Sequence, residues 1–93
     1  MIASFADCHP QALFEGRRIR RLPPEIQPPA RRKLEMLHAA PDLRSLLVPP
    51  GNRLEALKGD RRGWHSIRIN DQWRICFVWK DNHAHQVGIV DYH

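Results

Sequence analysis

The sequence predicts an α+β domain in which helices pack on one face of an antiparallel β-sheet, and a change of apolar period carries that prediction. Apolar residues at Ala30, Leu34, Leu37 and Ala40 keep one helical face against a core, while Arg31, Arg32, Lys33 and Glu35 face solvent. From Leu54 onward the period becomes two: residues 64–70 alternate, and Trp73, Ile75, Phe77 and Trp79 line one side of a following strand. Helices first and strands afterwards give a sheet covered on one face, with the other left to bind something. A chain of 93 residues with 42% hydrophobic content supports one such domain, residues 1–93.

The elements follow in order. Residues 2–6 are short, apolar and uncharged, which suits a first β-strand, and Asp7-Cys8-His9-Pro10 reads as a turn. Residues 11–16 supply one or two helical turns. Arg17-Arg18-Ile19-Arg20-Arg21, followed by Pro23-Pro24, then argues for an exposed basic connection. Pro28-Pro29 opens the main helix, where the missing N–H of proline is an orphan in any case. Pro41-Asp42 ends it and starts a helical turn through Leu47, before Pro49-Pro50-Gly51-Asn52 forces a loop. After the alternating strand at 64–70, Asn70-Asp71 turns the chain and the next strand presents Arg74, Cys76 and Val78 on its second side. Lys80-Asp81-Asn82-His83 turns it again, and residues 85–91 complete a meander.

Charge narrows the functional classes. Fifteen Lys and Arg against ten Asp and Glu leave +5 at neutral pH and a pI near 10.0, which favours a polyanionic partner such as nucleic acid or the ribosome over a membrane. No apolar run approaches the roughly 20 residues that span a bilayer, and the opening seven residues lack a charged n-region and long h-region, so a cytoplasmic protein is expected. Cys8 and Cys76 have no metal-like spacing and are read as buried or inert thiols. His65, His83 and His85 are read as surface histidines in preference to metal ligands, and neither metal nor cofactor is expected.

If Ile67, Ile69, Ile75 and Phe77 look into the core, Arg68 and Arg74 emerge on the opposite face. Two guanidiniums on paired strands suit a phosphate backbone, and Lys58 adds a point charge on a flexible stem. The plainer alternative is a solvated sheet face whose arginines balance nearby carboxylates. Trp73 and Trp79 belong to the core by parity, whereas Trp64 has the opposite parity from Ile67 and falls on the binding face. Asp91-Tyr92-His93 groups three side chains able to accept, donate or stack. Such a tail frays unless it is held, and Val87-Gly88-Ile89-Val90 reads as the strand that would hold it.

The segments from Pro50 to Arg61 and from Ser66 to Phe77, with the tail Val90-Asp91-Tyr92-His93, resemble the HigB toxins of the RelE/ParE superfamily. The specific part is the ordered combination of Leu57-Lys58-Gly59-Asp60, Asn70-Asp71-Gln72-Trp73-Arg74-Ile75 and the terminal Asp-Tyr-His. The resemblance is strong over residues 50–93 and looser before them. It implies a RelE-like fold and a type II toxin that cuts mRNA in the ribosomal A site, partnered by a HigA-like helix-turn-helix antitoxin, with DNA reached only through that antitoxin. In this family the 2′-hydroxyl of the substrate attacks the adjacent phosphate, so no protein nucleophile is needed. Lys58 and Arg74 match the positions that neutralise the phosphate, Asp91 and His93 match the proton-handling tail, and Tyr92 matches its aromatic neighbour. Some members carry histidine three residues before the lysine, where this chain has Glu55. A carboxylate serves as base if its pKa is raised, and Lys58 and Arg74 would lower it. Glu55, Arg68 and Gln72 are the secondary substrate-contact candidates. The competing readings are a non-enzymatic nucleic-acid or ribosome binder, a ParE-like gyrase poison and an inactive toxin remnant.

Overall fold

In the computed structural model, which describes residues 1–91, helices α1 (Cys8–Phe14) and α2 (Gln27–Ala39) precede a sheet of β1 (Glu55–Ala56), β2 (Trp64–Arg68), β3 (Trp73–Lys80) and β4 (His83–Asp91). The strands lie in chain order and every neighbouring pair is antiparallel. This is the α+β arrangement that the change of period predicts. Short 3-10 turns at Pro24–Ile26, Leu43–Leu47, Pro50–Asn52 and Gly59–Arg61 join the larger elements.

The residues at 7–10 are not a turn. Asp7 is extended (φ −154°) and its side chain accepts the backbone N–H of His9 at 2.8 Å, so it caps a helix that starts at Cys8 and takes Pro10 within its first turns. The expected first strand is reduced to two parallel bridges, Ile2 to Ala84 and Phe5 to Val87, along the outer edge of β4. A bulge in β4 explains the interruption. The pairing of β3 with β4 shifts between Cys76 and Val78, Gln86 adopts φ 52°, and its N–H is accepted by the Ser4 hydroxyl at 2.9 Å.

Helix α2 begins three residues before Ala30 and buries Ala30, Leu34 and Leu37 completely. Ile67, Ile75, Phe77 and Val87 meet them from the sheet, each with no exposed surface. Trp73 and Trp79 are half-buried against the same core, as their parity predicts. β2 stops at Arg68 because the N–H groups of Ile69 and Asn70 both turn to the Trp73 carbonyl, at 2.9 and 3.2 Å. The Asn70 side chain then accepts from Gln72 and Trp73 N–H, closing an Asx turn. The β3–β4 turn has Asp81 and Asn82 both left-handed (φ 54° and 62°), the geometry that matches strand twist in a tight hairpin.

The second sheet face is not bare, contrary to the sequence expectation. Ser66, Arg74 and Cys76 on that face are 0%, 7% and 3% exposed. Groups from the edge strand β1 and its flanks reach them: the Arg53 carbonyl and Glu55 carboxylate meet Arg74, and the charge of Arg61 reaches Cys76. Among the described residues, no helix is long and apolar enough to cross a membrane.

Candidate active site

The site is built around Arg74. Its position on β3 puts it directly across from Arg68 on β2 and Val90 on β4, with Ser66 one row further along the same face. Nε of Arg74 donates to Ser66 Oγ at 2.8 Å, and Nη2 donates to the carbonyls of Arg53 at 2.6 Å and Ser66 at 3.3 Å. The Glu55 carboxylate stands 3.6 Å from Nη2. Sequence parity identifies the correct face for Arg74 but places it in solvent. The structure buries it, because the 53–61 segment supplies acceptors far away in sequence.

Beside this buried arginine lies an open cleft of about 410 Å³ lined by Leu57, Lys58, Arg61, Val90 and Asp91. Lys58 reaches it from the loop after β1. The N–H of Leu57 bonds the Trp64 carbonyl at 2.9 Å, then Gly59 reverses the chain at φ +70°, a conformation that a side chain would strain. Asp91 comes from the end of β4, where it pairs in register with Trp73. Gln72 Nε2 donates to Asp91 Oδ2 at 3.1 Å and so holds that carboxylate.

The predicted residues therefore divide. Lys58 and Asp91 share the cleft, Arg74 and Glu55 form an ion pair on the sheet face, and Gln72 bonds Asp91. Arg68 does not line the cleft; it pairs with Asp71 on the turn, and its charge reaches Lys33 on α2. The plainer alternative of a charge-balanced surface arginine describes Arg68 well. Tyr92 and His93 lie outside the described residues.

Arg61 is a charged cleft residue that the sequence reading missed. Its guanidinium carbon is 6.0 Å from the centre of the Trp64 ring, which fixes a second cation beside Lys58 and puts Trp64 on the face its parity predicts. The available signal was its place three residues after Lys58, across the reversal at Gly59. Burial pushes the Cys76 thiol above its ordinary value and Glu55 adds to this, while Arg61 and Arg74 oppose it. Cys8 is exposed, so only Cys76 fits the expectation of a buried thiol. Of the three histidines, His83 is exposed as expected. His65 and His85 are half-buried, and His65 stacks on Phe77 at 6.2 Å because it shares the core parity of Ile67.

A buried arginine of fixed orientation beside a cleft that holds two cations and a carboxylate can help to bind an oxyanion and move a proton next to it. The fold belongs to the RelE-like toxin class. The chain superposes on the solved YoeB-YefM complex from Staphylococcus aureus with a TM-score of 0.62 at 17% identity, over 100% of this chain and 98% of that one. A model of the family described as RelE-like toxin of type II toxin–antitoxin system HigB matches residues 3–93, and the chain belongs to that family. It is 42% identical over 85 residues to Toxin HigB-1 of Vibrio cholerae, covering 90% of each chain. It is also 42% identical over 41 residues to Endoribonuclease HigB of Proteus vulgaris, covering 44% of this chain and 45% of that protein.

Proposed function

We propose that this toxin is an endoribonuclease that arrests translation by cutting mRNA in the ribosomal A site. The observation that carries this reading is the placement of Lys58, Arg61 and Asp91 in one cleft beside an arginine whose guanidinium is held by three acceptors. A trigonal-bipyramidal phosphate carries extra negative charge, and Arg74 and Lys58 stabilise it. The 2′-oxygen forms a bond to phosphorus as the bond from phosphorus to the 5′-oxygen breaks, leaving a 2′,3′-cyclic phosphate and a free 5′-hydroxyl. One proton leaves the 2′-hydroxyl and one reaches the 5′-oxygen; Asp91 and His93 handle these transfers, with Tyr92 stacking on or donating to the substrate.

The ribosome supplies what so small a site lacks. It holds a flexible mRNA in line for attack, a contribution worth up to about 7–11 kcal/mol of barrier for ideal positioning. The exposed arginines of residues 17–21 and of Arg31-Arg32 provide the polycationic contact to ribosomal RNA. A HigA-like helix-turn-helix antitoxin restrains the toxin in the cytoplasm and carries DNA binding for the pair.

The test is primer extension on an mRNA incubated with purified protein, with and without programmed ribosomes, comparing the wild type with Arg74→Ala and His93→Ala. Cuts that need ribosomes and fall sharply in both variants are expected. Binding without wild-type cuts would overturn the nuclease reading in favour of a non-enzymatic ribosome binder.

A further inference from the structure

We propose that Ser66 is a positioning residue that acts through Arg74, a proposal that rests on the reading of Arg74 as the phosphate-binding group. An arginine on a long stem places its fork reliably only where its nitrogens are held. Ser66 holds two of them: its hydroxyl accepts from Nε at 2.8 Å and its carbonyl from Nη2 at 3.3 Å. Ser66 is 0% exposed, so no water replaces that hydroxyl on the buried side, and an alanine would occupy the same space without it.

The third acceptor has its own support. The Arg53 carbonyl that accepts from Nη2 at 2.6 Å belongs to a left-handed residue, φ 45° and ψ 54°, a conformation a non-glycine side chain adopts at a cost. The preceding Asn52 keeps it there. Asn52 is 0% exposed, donates to the Leu46 carbonyl and Met36 Sδ, both at 3.1 Å, and accepts from Lys33 Nζ of α2. The guanidinium is thus anchored to β2 from one side and, through Asn52, to the helical layer from the other. These anchors fix the plane of the fork before substrate arrives, the condition under which a charged group stabilises a transition state without reorganising.

The test uses the full chain with programmed ribosomes and measures kcat and KM for Ser66→Ala and Ser66→Thr, each also in an Arg74→Ala background. Ser66→Ala is expected to lower kcat by about 10- to 100-fold with KM little changed, Ser66→Thr to restore it, and Ser66→Ala to have no further effect once Arg74 is alanine. Equal losses in both backgrounds would show a general structural role and overturn the proposal, as would wild-type kcat in Ser66→Ala. The NMR signal of the Arg74 Nε–H provides a readout independent of cleavage. Its protection from solvent exchange should be lost in Ser66→Ala and kept in Ser66→Thr; unchanged protection in Ser66→Ala would overturn the proposal. If the wild type does not cut, the nuclease reading fails, and this signal still decides whether Ser66 holds Arg74.

Discussion

In the loop of residues 17–22, four arginines stand in solvent around two buried aliphatic anchors, Ile19 and Leu22, whereas on the sheet face Arg74 is 7% exposed and held by three acceptors among the described residues. Both regions are held by buried side-chain hydrogen bonds. The loop is fixed by buried Gln27, whose side chain accepts from Ile19 N–H at 3.0 Å and donates to the carbonyls of Ile19 and Leu22 at 2.6 and 2.9 Å. The difference lies in what is held. In the loop the protein orders backbone and leaves the charges to solvent; on the sheet it orders the charge itself. Charge density alone suits long-range attraction, and a fixed, partly desolvated guanidinium suits chemistry.

The comparison breaks most visibly at Arg74. Arg74→Ala should lower kcat/KM by about 100- to 1,000-fold in ribosome-dependent cleavage. It should also destabilise the fold by about 1–3 kcal/mol, because Ser66 Oγ and the Arg53 carbonyl lose their donor. Arg74→Lys keeps the charge without the fork and is expected to recover little of the rate, a result that a purely electrostatic role would contradict. Lys58→Ala comes next, at about 10- to 100-fold, since an exposed, flexible ammonium contributes charge with less orientation.

Glu55→Gln sharpens the comparison from the acidic side. Glu55 is half-exposed at 52% and stands 3.6 Å from Arg74, the geometry of a weak surface pair, so removing its charge should change kcat by no more than about fivefold. A loss of about 100-fold or more would identify Glu55 as the proton acceptor, in the place where some relatives carry histidine.

The loop is tested by salt. Arg18→Ala combined with Arg20→Ala should leave the single-turnover rate on saturating ribosomes unchanged. It should lower the slope of log affinity against log salt by about two, one for each lost phosphate contact. An unchanged slope together with weakened antitoxin binding would assign the loop to the antitoxin interface.

These regions differ also in how far sequence reasoning reached them. Periodicity found α2, the strand order of the meander, the core parity of Trp73 and Trp79, and the face that carries Arg74, because each depends on residues only a few positions apart. It did not find the burial of Arg74. Arg53 lies 21 positions earlier, and the 53–61 segment has the charged, irregular composition of a surface loop. The helical start at Asp7 was hidden by Pro10, which reads as a turn residue and is equally at home early in a helix. Residue type and the family resemblance pointed to Lys58 and Asp91 as site members, but only tertiary packing brings them to one cleft with Arg61.

The smallest expected effect concerns the two thiols, which report the same contrast between solvent and sheet face. Cys8 is exposed and Cys76 is 3% exposed, with its pKa pushed up first by burial and then by Glu55, against Arg61 and Arg74. At neutral pH iodoacetamide should therefore label one thiol per native chain and both after unfolding, counted by mass spectrometry. Because folding raises the Cys76 value, its contribution to stability is complete below the ordinary thiol range and is lost as pH rises through the folded value. Arg74→Ala should speed Cys76 labelling by loosening the cover that the Arg53 carbonyl and Glu55 place over the sheet face. If Cys76 stayed equally protected in that variant, packing of the 53–61 segment would not depend on Arg74, and the arginine would be a passenger of the cleft instead of its anchor.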